Sequence, residues 1–368
     1  MHRVIGHLRP ALAPEQEATP DRHPSGGAES VAVVIPCFRV RAHILNVIAG
    51  IGPEVDVIYV VDDACPDASG ALVERDVRDP RVKVLYHDVN QGVGGATMTG
   101  MRRAIADGAR IIVKMDGDGQ MDPAMLPVLI ETIRSGEADH AKGNRFFDPD
   151  GLADMPAVRL IGNAGLSFLA KLSTGYWQSF DPTNGYFAIH AEVARRLPMH
   201  KIHKRYFFET DLLFRLSTLR ARVVDVPMPA IYGAETSNLR IRQIVLPFLA
   251  GHLRNVFKRV GYNYFLRDFN IASLELVAGV ALIAFGLAFG LANWGSDEAA
   301  TAGTVMLAGL PLILGVQLLL AFVGYDIQSS PSTALHPRLT RRQYGVQRLS
   351  RTAPAMAATN QEVSHHAG

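Results

Sequence analysis

Ile111-Ile112-Val113-Lys114-Met115-Asp116-Gly117-Asp118-Gly119-Gln120 runs from an apolar, strand-like segment directly into two carboxylates one residue apart. In an extended chain alternate side chains share a face, so Asp116 and Asp118 point together if that geometry persists through Gly117. Paired carboxylates where a buried strand runs out suit a hard divalent ion, Mg²⁺ or Mn²⁺, that keeps open positions for diphosphate oxygens. Asp-Gly is also ordinary turn chemistry, so the surrounding chain has to decide between the two.

Upstream, the same alternation repeats. Val31–Ile35 ends at Pro36 and leads into a helical pattern through Ile51. Val57–Val61 ends at Asp62 and Asp63, and a second helical pattern starts at Ala68. Val82–Leu85, a helix-like stretch over Gly94–Asp107 and Ile111–Met115 follow. Strands and helices alternating at this length predict an α/β fold with right-handed crossovers and a mainly parallel sheet. Ligands in such sheets gather at the carboxyl ends of strands, where Pro36, Asp62, Asp63, Asn90–Gly95 and Asp116–Gln120 all fall. That concentration favours the metal clamp over the plain turn. Beyond Gly143-Asn144-Arg145 the pattern loosens, with a helix-like segment over Val158–Ser173 and polar clusters at Asp181–Tyr186 and Phe207–Asp211.

The chain has 368 residues, 48% of them hydrophobic, and the apolar excess is concentrated near the C-terminus. Ile271–Ala292 holds one ionisable residue, Glu275, and Gly303–Gly324 holds none. At about 1.5 Å per residue each spans a hydrocarbon core of roughly 30 Å, which predicts two transmembrane helices. The intervening loop carries Asp297 and Glu298 but no Lys or Arg. Arg240, Arg242, Arg254, Lys258, Arg259 and Arg267 precede the first span, and the tail adds Arg338, Arg341, Arg342, Arg348 and Arg351. The positive-inside rule then predicts a multi-pass protein of the cytoplasmic (inner) membrane with both termini in the cytoplasm. A basic collar beside a membrane favours anionic lipid as a partner and gives no support to nucleic acid. Glu275 fits three roles: pairing with Arg267, contacting a lipid headgroup, or facing its counterpart in a homo-oligomer. Residues 1–30, rich in Pro, Ala, Gly and charge, read as a disordered leader without a signal peptide. Cys37 and Cys65 fall on the cytosolic side, where a disulfide is not expected. The expected organisation is a leader (1–30), a catalytic domain (31–238), juxtamembrane amphipathic helices (239–270), spans at 271–292 and 303–324, and a basic tail (325–368).

Taken together, Val33-Val34-Ile35-Pro36, Val61-Asp62-Asp63, Asn90–Gly95, Asp116–Gln120, Gly143-Asn144-Arg145, Asp181–Gly185 and Glu209-Thr210-Asp211 resemble the family 2 glycosyltransferases with a GT-A fold. Among these the chain looks most like the polyprenyl-phosphate branch, the dolichol-phosphate mannose synthase-like enzymes. The resemblance implies a nucleotide-sugar donor, with Pro36, Asp62, Asp63, Asn90, Gly92, Gly94 and Asp116 around the nucleotide and its diphosphate. It implies Asp116, Asp118 and Gln120 as the metal set, and Arg145 on a phosphate, with Lys142 as a weaker candidate for the same work. Asp211 matches the position used as general base or acceptor-orienting carboxylate, with Glu209 beside it; capping of a helix from Leu212 is the alternative. Two positions depart from the family pattern. Cys37-Phe38-Arg39 replaces the usual aromatic-Asn-Glu, and Phe187 replaces an Arg. The chain contains no Gln-x-x-Arg-Trp, which argues against a processive synthase.

The expected function is inverting, metal-dependent transfer of one sugar, UDP-linked in the donor, to undecaprenyl or a related polyprenyl phosphate at the cytoplasmic membrane face, for cell-surface glycan synthesis. Transfer to another lipid or glycan is one alternative. A catalytically silent membrane scaffold that binds a nucleotide sugar is the other.

Overall fold

The computed structural model describes residues 29–147, 157–229, 241–294 and 300–341, and the leader therefore lies almost wholly outside them. Seven strands form one sheet: β1 (Val31–Cys37), β2 (Val57–Asp62), β3 (Val82–Tyr86), β4 (Ile111–Lys114), β5 (His140–Asn144), β6 (Phe187–His190) and β7 (Val223–Pro227). Their spatial order is β3-β2-β1-β4-β6-β5-β7. Every pairing is parallel except those of β6, which runs antiparallel to β4 and to β5. The first four strands match the alternation in the sequence. The last three do not continue it: β6 lies antiparallel between β4 and β5, and β7 pairs with β5 at the edge.

The helices are α1 (Ile44–Ala49), α2 (Ser69–Asp76), α3 (Val93–Ala106), α4 (Leu126–Arg134), α5 (Ala157–Thr174), α6 (Ala191–Ala194), α7 (Phe208–Leu219), α8 (Ile241–Val260), α9 (Ile271–Ala292) and α10 (Ala302–Gln328). β1 is buried along its whole length, and its side chains divide between two cores by period two. Val31, Val33 and Ile35 join Ile44 of α1 and Leu126 and Ile130 of α4. Ala32 and Val34 join Met98 and Met101 of α3 and Leu212 and Leu216 of α7. A central strand covered on both faces must be apolar on both, which is why its sequence does not alternate.

After α8 the chain continues as a π-helical turn, Gly261–Arg267, and Asn270 starts α9 with a reciprocal capping box to Ser273. α9 and α10 are long and apolar enough to cross a membrane, and they expose Leu274, Val277, Leu287, Ile313 and Leu320. Small residues let the pair approach closely. A Cβ on Gly279 would lie 3.0 Å from the Gly315 carbonyl oxygen, and one on Gly286 would lie 2.8 Å from that of Ala308. The chain after α10 returns to the sheet domain. There the Asp139 carboxylate, just before β5, accepts the backbone N–H groups of Leu335 and His336 at 2.8 and 2.7 Å.

Candidate active site

β4 stops at Lys114, so the extended geometry expected through Gly117 is replaced by a turn, in which Gly119 adopts φ +81°. That turn still carries Asp116, Asp118 and Gln120 onto one cleft, shared with Arg145, Thr183, Asn184 and Gly185. The Oδ1 of Asp118 accepts the Gln120 backbone N–H at 3.0 Å, a bond that closes the turn.

Lys114 is the residue that the sequence reading passed over. It is 1% exposed, and its Nζ lies 2.7 Å from the Asp116 Oδ1. From the other side, the first turn of α7 brings up Glu209. Gly185 marks the meeting point: a Cβ there would press on the Lys114 Nζ and lie 3.2 Å from the Glu209 Oε1 and 3.5 Å from the Asp116 Oδ2. Only a glycine allows the Asp181–Gly185 loop so close to three charged groups. A lone Lys inside an apolar strand was the available signal, because a buried ammonium demands a carboxylate partner.

Burial pushes the Glu209 carboxyl up to about 7; the Asp116 charge pushes the same way, and the Lys114 ammonium opposes both. Because this value exceeds the 4.5 of an ordinary Glu, ionising Glu209 penalises the folded state. The corresponding stability is present below about pH 4.5 and is lost as pH rises through about 7. The metal-free protein is therefore expected to unfold at lower temperature at pH 8 than at pH 5.5, and Glu209→Gln should flatten that difference. Thermal unfolding in chelator at both pH values checks this; an equal slope in the variant would assign the dependence to other groups.

Arg145 follows β5 and is held by Asp181, which is 1% exposed and accepts from the Arg145 Nε and Nη2 at 2.8 Å each. This bidentate pair fixes the plane of the guanidinium at the cleft. Lys142, three residues earlier, points elsewhere. It is buried, donates to the carbonyls of Phe180 and Asp181, and pairs with Asp225 at 3.1 Å. Burial lowers its pKa, and Asp225 and Asp181 counter that effect.

The residues at the ends of β1 to β3 lie on the same sheet edge, but their polar groups bond to the protein. Pro36 sits inside β1, opposite Val61. Asp62 accepts the backbone N–H groups of Cys65 and Gly70 at 2.7 Å each, and so closes the turn into α2. Asp63 accepts those of Gln91 and Gly92 at 2.8 and 2.7 Å and bonds His87 Nδ1 at 2.7 Å, while Asn90 donates back to its carbonyl. Gly92 has φ +87°, and a Cβ there would lie 2.6 Å from the Lys204 carbonyl oxygen, which also accepts the Gly94 N–H at 2.9 Å. These glycines let the His203–Arg205 turn approach, and that turn occupies the start of α3.

α7 begins at Phe208, so Glu209 and Asp211 both fall within its first turn and do not precede the helix. The two carboxylates diverge. Asp211 is fully buried and accepts the His203 N–H at 2.9 Å and the Asn255 side-chain amide at 3.1 Å. It ties the His203 turn and α7 to α8, away from the Lys114–Asp116–Glu209 group.

Among the described residues, no three His, Cys, Asp or Glu side chains gather into a cluster that could hold a metal by themselves. Two carboxylates and an amide oxygen on an open cleft fit a hard ion that takes its remaining ligands from phosphate and water. A mainly parallel sheet with such a cleft at the carboxyl ends of its strands has its ligand site where α/β folds of this kind place one, and two apolar helices long enough to cross a membrane follow it. The model of glycosyl transferase family 2 matches residues 32–197. An undecaprenyl-phosphate mannosyltransferase of Micrococcus luteus is 35% identical over 178 residues, 48% of this chain and 72% of that protein. A polyprenol monophosphomannose synthase of Mycolicibacterium smegmatis is 30% identical, over 58% of this chain and 82% of its own length. Glucosyl-3-phosphoglycerate synthase from Mycobacterium tuberculosis, solved with Mn²⁺, UDP and its product, superposes with a TM-score of 0.48 at 19% identity, over 65% of this chain and 86% of that one. The chain belongs to glycosyl transferase family 2 and is a glycosyltransferase. The segment that the family model matches ends before α7, so Glu209, Asp211 and the helical hairpin lie outside it.

Proposed function

We propose that the protein transfers a single sugar, with inversion, from a UDP-linked donor to undecaprenyl or a related polyprenyl phosphate at the cytoplasmic face of the membrane. The observation that carries this reading is a carboxylate-lined cleft in the same domain that holds both ends of an apolar helical hairpin. The relatives support it, since those of Micrococcus and Mycolicibacterium are named for transfer to polyprenyl phosphates. Attachment at both ends of the hairpin also supports a topology with the catalytic domain and both termini on one side, the side of the basic residues.

In this reading Asp116, Asp118 and Gln120 hold Mg²⁺ or Mn²⁺, which supplies Lewis-acid stabilisation of the departing nucleotide diphosphate. Lys114 offsets the charge gathered by Asp116 and Glu209. Arg145, oriented by Asp181, binds a phosphate of donor or acceptor with a planar fork. Pro36, Asp62, Asp63, Asn90, Gly92 and Gly94 shape the nucleotide end of the cleft by fixing the loops there. A lipid phosphate is already a nucleophile near neutral pH, so no side chain has to remove a proton from it. Glu209 is assigned to the sugar hydroxyls, supported by its position beside Asp116, and Asp211 to organising the site, supported by its bonds to His203 and Asn255. In-line attack converts an α-linked donor to a β-phosphodiester.

The test is incubation of the detergent-purified protein with Mg²⁺ or Mn²⁺ and a panel of UDP- and GDP-linked sugars, with and without polyprenyl phosphate. Nucleotide diphosphate release and lipid-linked product are measured together. Release that needs both metal and lipid sustains the reading and identifies the donor. Donor turnover without lipid product assigns a different acceptor.

A further inference from the structure

Asp326 lies near the end of α10, among otherwise apolar residues, and is 3% exposed. Its Oδ1 accepts from the Arg259 Nη1 at 2.6 Å and the Tyr264 hydroxyl at 2.5 Å. Its Oδ2 accepts from the Arg259 Nη2 at 2.9 Å and the Trp177 Nε1 at 2.7 Å. Arg259, counted with the basic collar in the sequence, is in fact turned inward at 3% exposure and also donates to the Leu172 carbonyl at 2.9 Å. A Cβ on Gly175, where φ is +79°, would lie 2.8 Å from the Arg259 Nη1. The ends of α5, α8 and α10, the π-helical turn and the Gly175–Trp177 turn therefore meet on one carboxylate. A charge buried at the end of a membrane helix is tolerated only when saturated in this way, and such residues usually mark function.

From Trp177 the chain runs to the cleft under continuous restraint. The Ser179 hydroxyl and the Phe180 N–H donate to Asp225 at 2.9 and 2.7 Å, and Lys142 binds the Asp181 carbonyl at 3.1 Å. Asp181 then orients Arg145, and Thr183, Asn184 and Gly185 line the cleft. We propose that Asp326 is a positioning residue that, through Trp177, holds the Gly175–Gly185 segment and with it the Arg145 guanidinium in register with the helical hairpin. The proposal rests on the reading above in one respect, that the acceptor is a membrane lipid. A lipid acceptor enters from the bilayer and the donor from water, so a joint between hairpin and cleft loop sets the height at which the two substrates meet. With Arg145 on the acceptor phosphate, its loss acts on the lipid-dependent step and spares nucleotide binding.

The full-length protein with Trp294→Phe has Trp177 as its only tryptophan, since the chain holds two and Trp294 is 86% exposed in the loop between the spans. In that background Asp326→Asn is expected to shift Trp177 emission and increase its quenching by acrylamide. It should lower kcat/KM for polyprenyl phosphate roughly tenfold, the scale of one charge-assisted hydrogen bond. UDP affinity, measured by calorimetry, should stay within about twofold. Trp177→Phe keeps an aromatic ring against Phe168 and leaves the Arg259–Asp326 pair in place, so it tests transmission even if Asp326→Asn folds poorly. It should reduce lipid use in the same direction, by roughly threefold. Unchanged lipid use in both variants, or an equal loss of UDP affinity, overturns the proposal. Where the wild type turns over donor without lipid product, the polyprenyl-phosphate reading fails instead. The fluorescence arm then still decides the joint, since unchanged Trp177 emission in Asp326→Asn overturns it.

Discussion

Asp118→Asn should reduce sugar transfer by on the order of a thousandfold while leaving the melting temperature nearly unchanged. The asymmetry follows from what each atom does. The turn bond from the Gln120 N–H to the Asp118 Oδ1 survives, because an amide oxygen accepts it equally well. What disappears is a negative charge on the cleft, which in the proposed function serves the metal on the departing nucleotide diphosphate. Binding of Mn²⁺, followed by calorimetry or spin resonance, should weaken in parallel with the rate. A variant with full activity, or one that binds Mn²⁺ as the wild type does, removes Asp118 from the metal set.

Lys114→Met should be the most destabilising single change at the cleft, by about 3 kcal/mol. Its ammonium is the cation that the structure sets against both Asp116 and Glu209. A methionine fills the volume but leaves the half-buried Asp116 and Glu209 without their cation, which costs more than the pair itself contributes. The sign with pH is specific. Glu209 titrates near pH 7, so the deficit should grow from pH 5.5 to pH 8 as a second uncompensated charge appears. Denaturation of the metal-free variant at the two pH values checks both size and sign. A deficit that does not change with pH would mean that Lys114 serves Asp116 alone.

The comparison between Lys114 and Arg259 shows what local sequence can carry. In the sequence Arg259 reads as part of a basic collar beside the membrane, and Lys114 as one residue of an apolar, strand-like segment. Both are buried: Lys114 pairs with nearby Asp116 and acts on Glu209 from α7, while Arg259 pairs with Asp326 from α10. The Gly92–Gly95 stretch behaves similarly. Its glycines mark a close approach, but the approaching group is the Lys204 backbone.

The sequence by itself determined the α/β alternation through β4, the position of the Asp116–Asp118 turn at a strand end, and the two apolar helices. Each of these is written in consecutive residues, by a period of two, by a change from apolar to acidic, or by unbroken hydrophobic length. Only the tertiary structure decided that β6 runs antiparallel, that Glu209 sits beside Lys114 and Asp116 while Asp211 turns away, and that Asp326 and His336 return to the sheet domain. Those outcomes depend on pairs separated by tens to hundreds of residues. Their energy comes from burying a charge or strand edge against a partner that no local pattern announces.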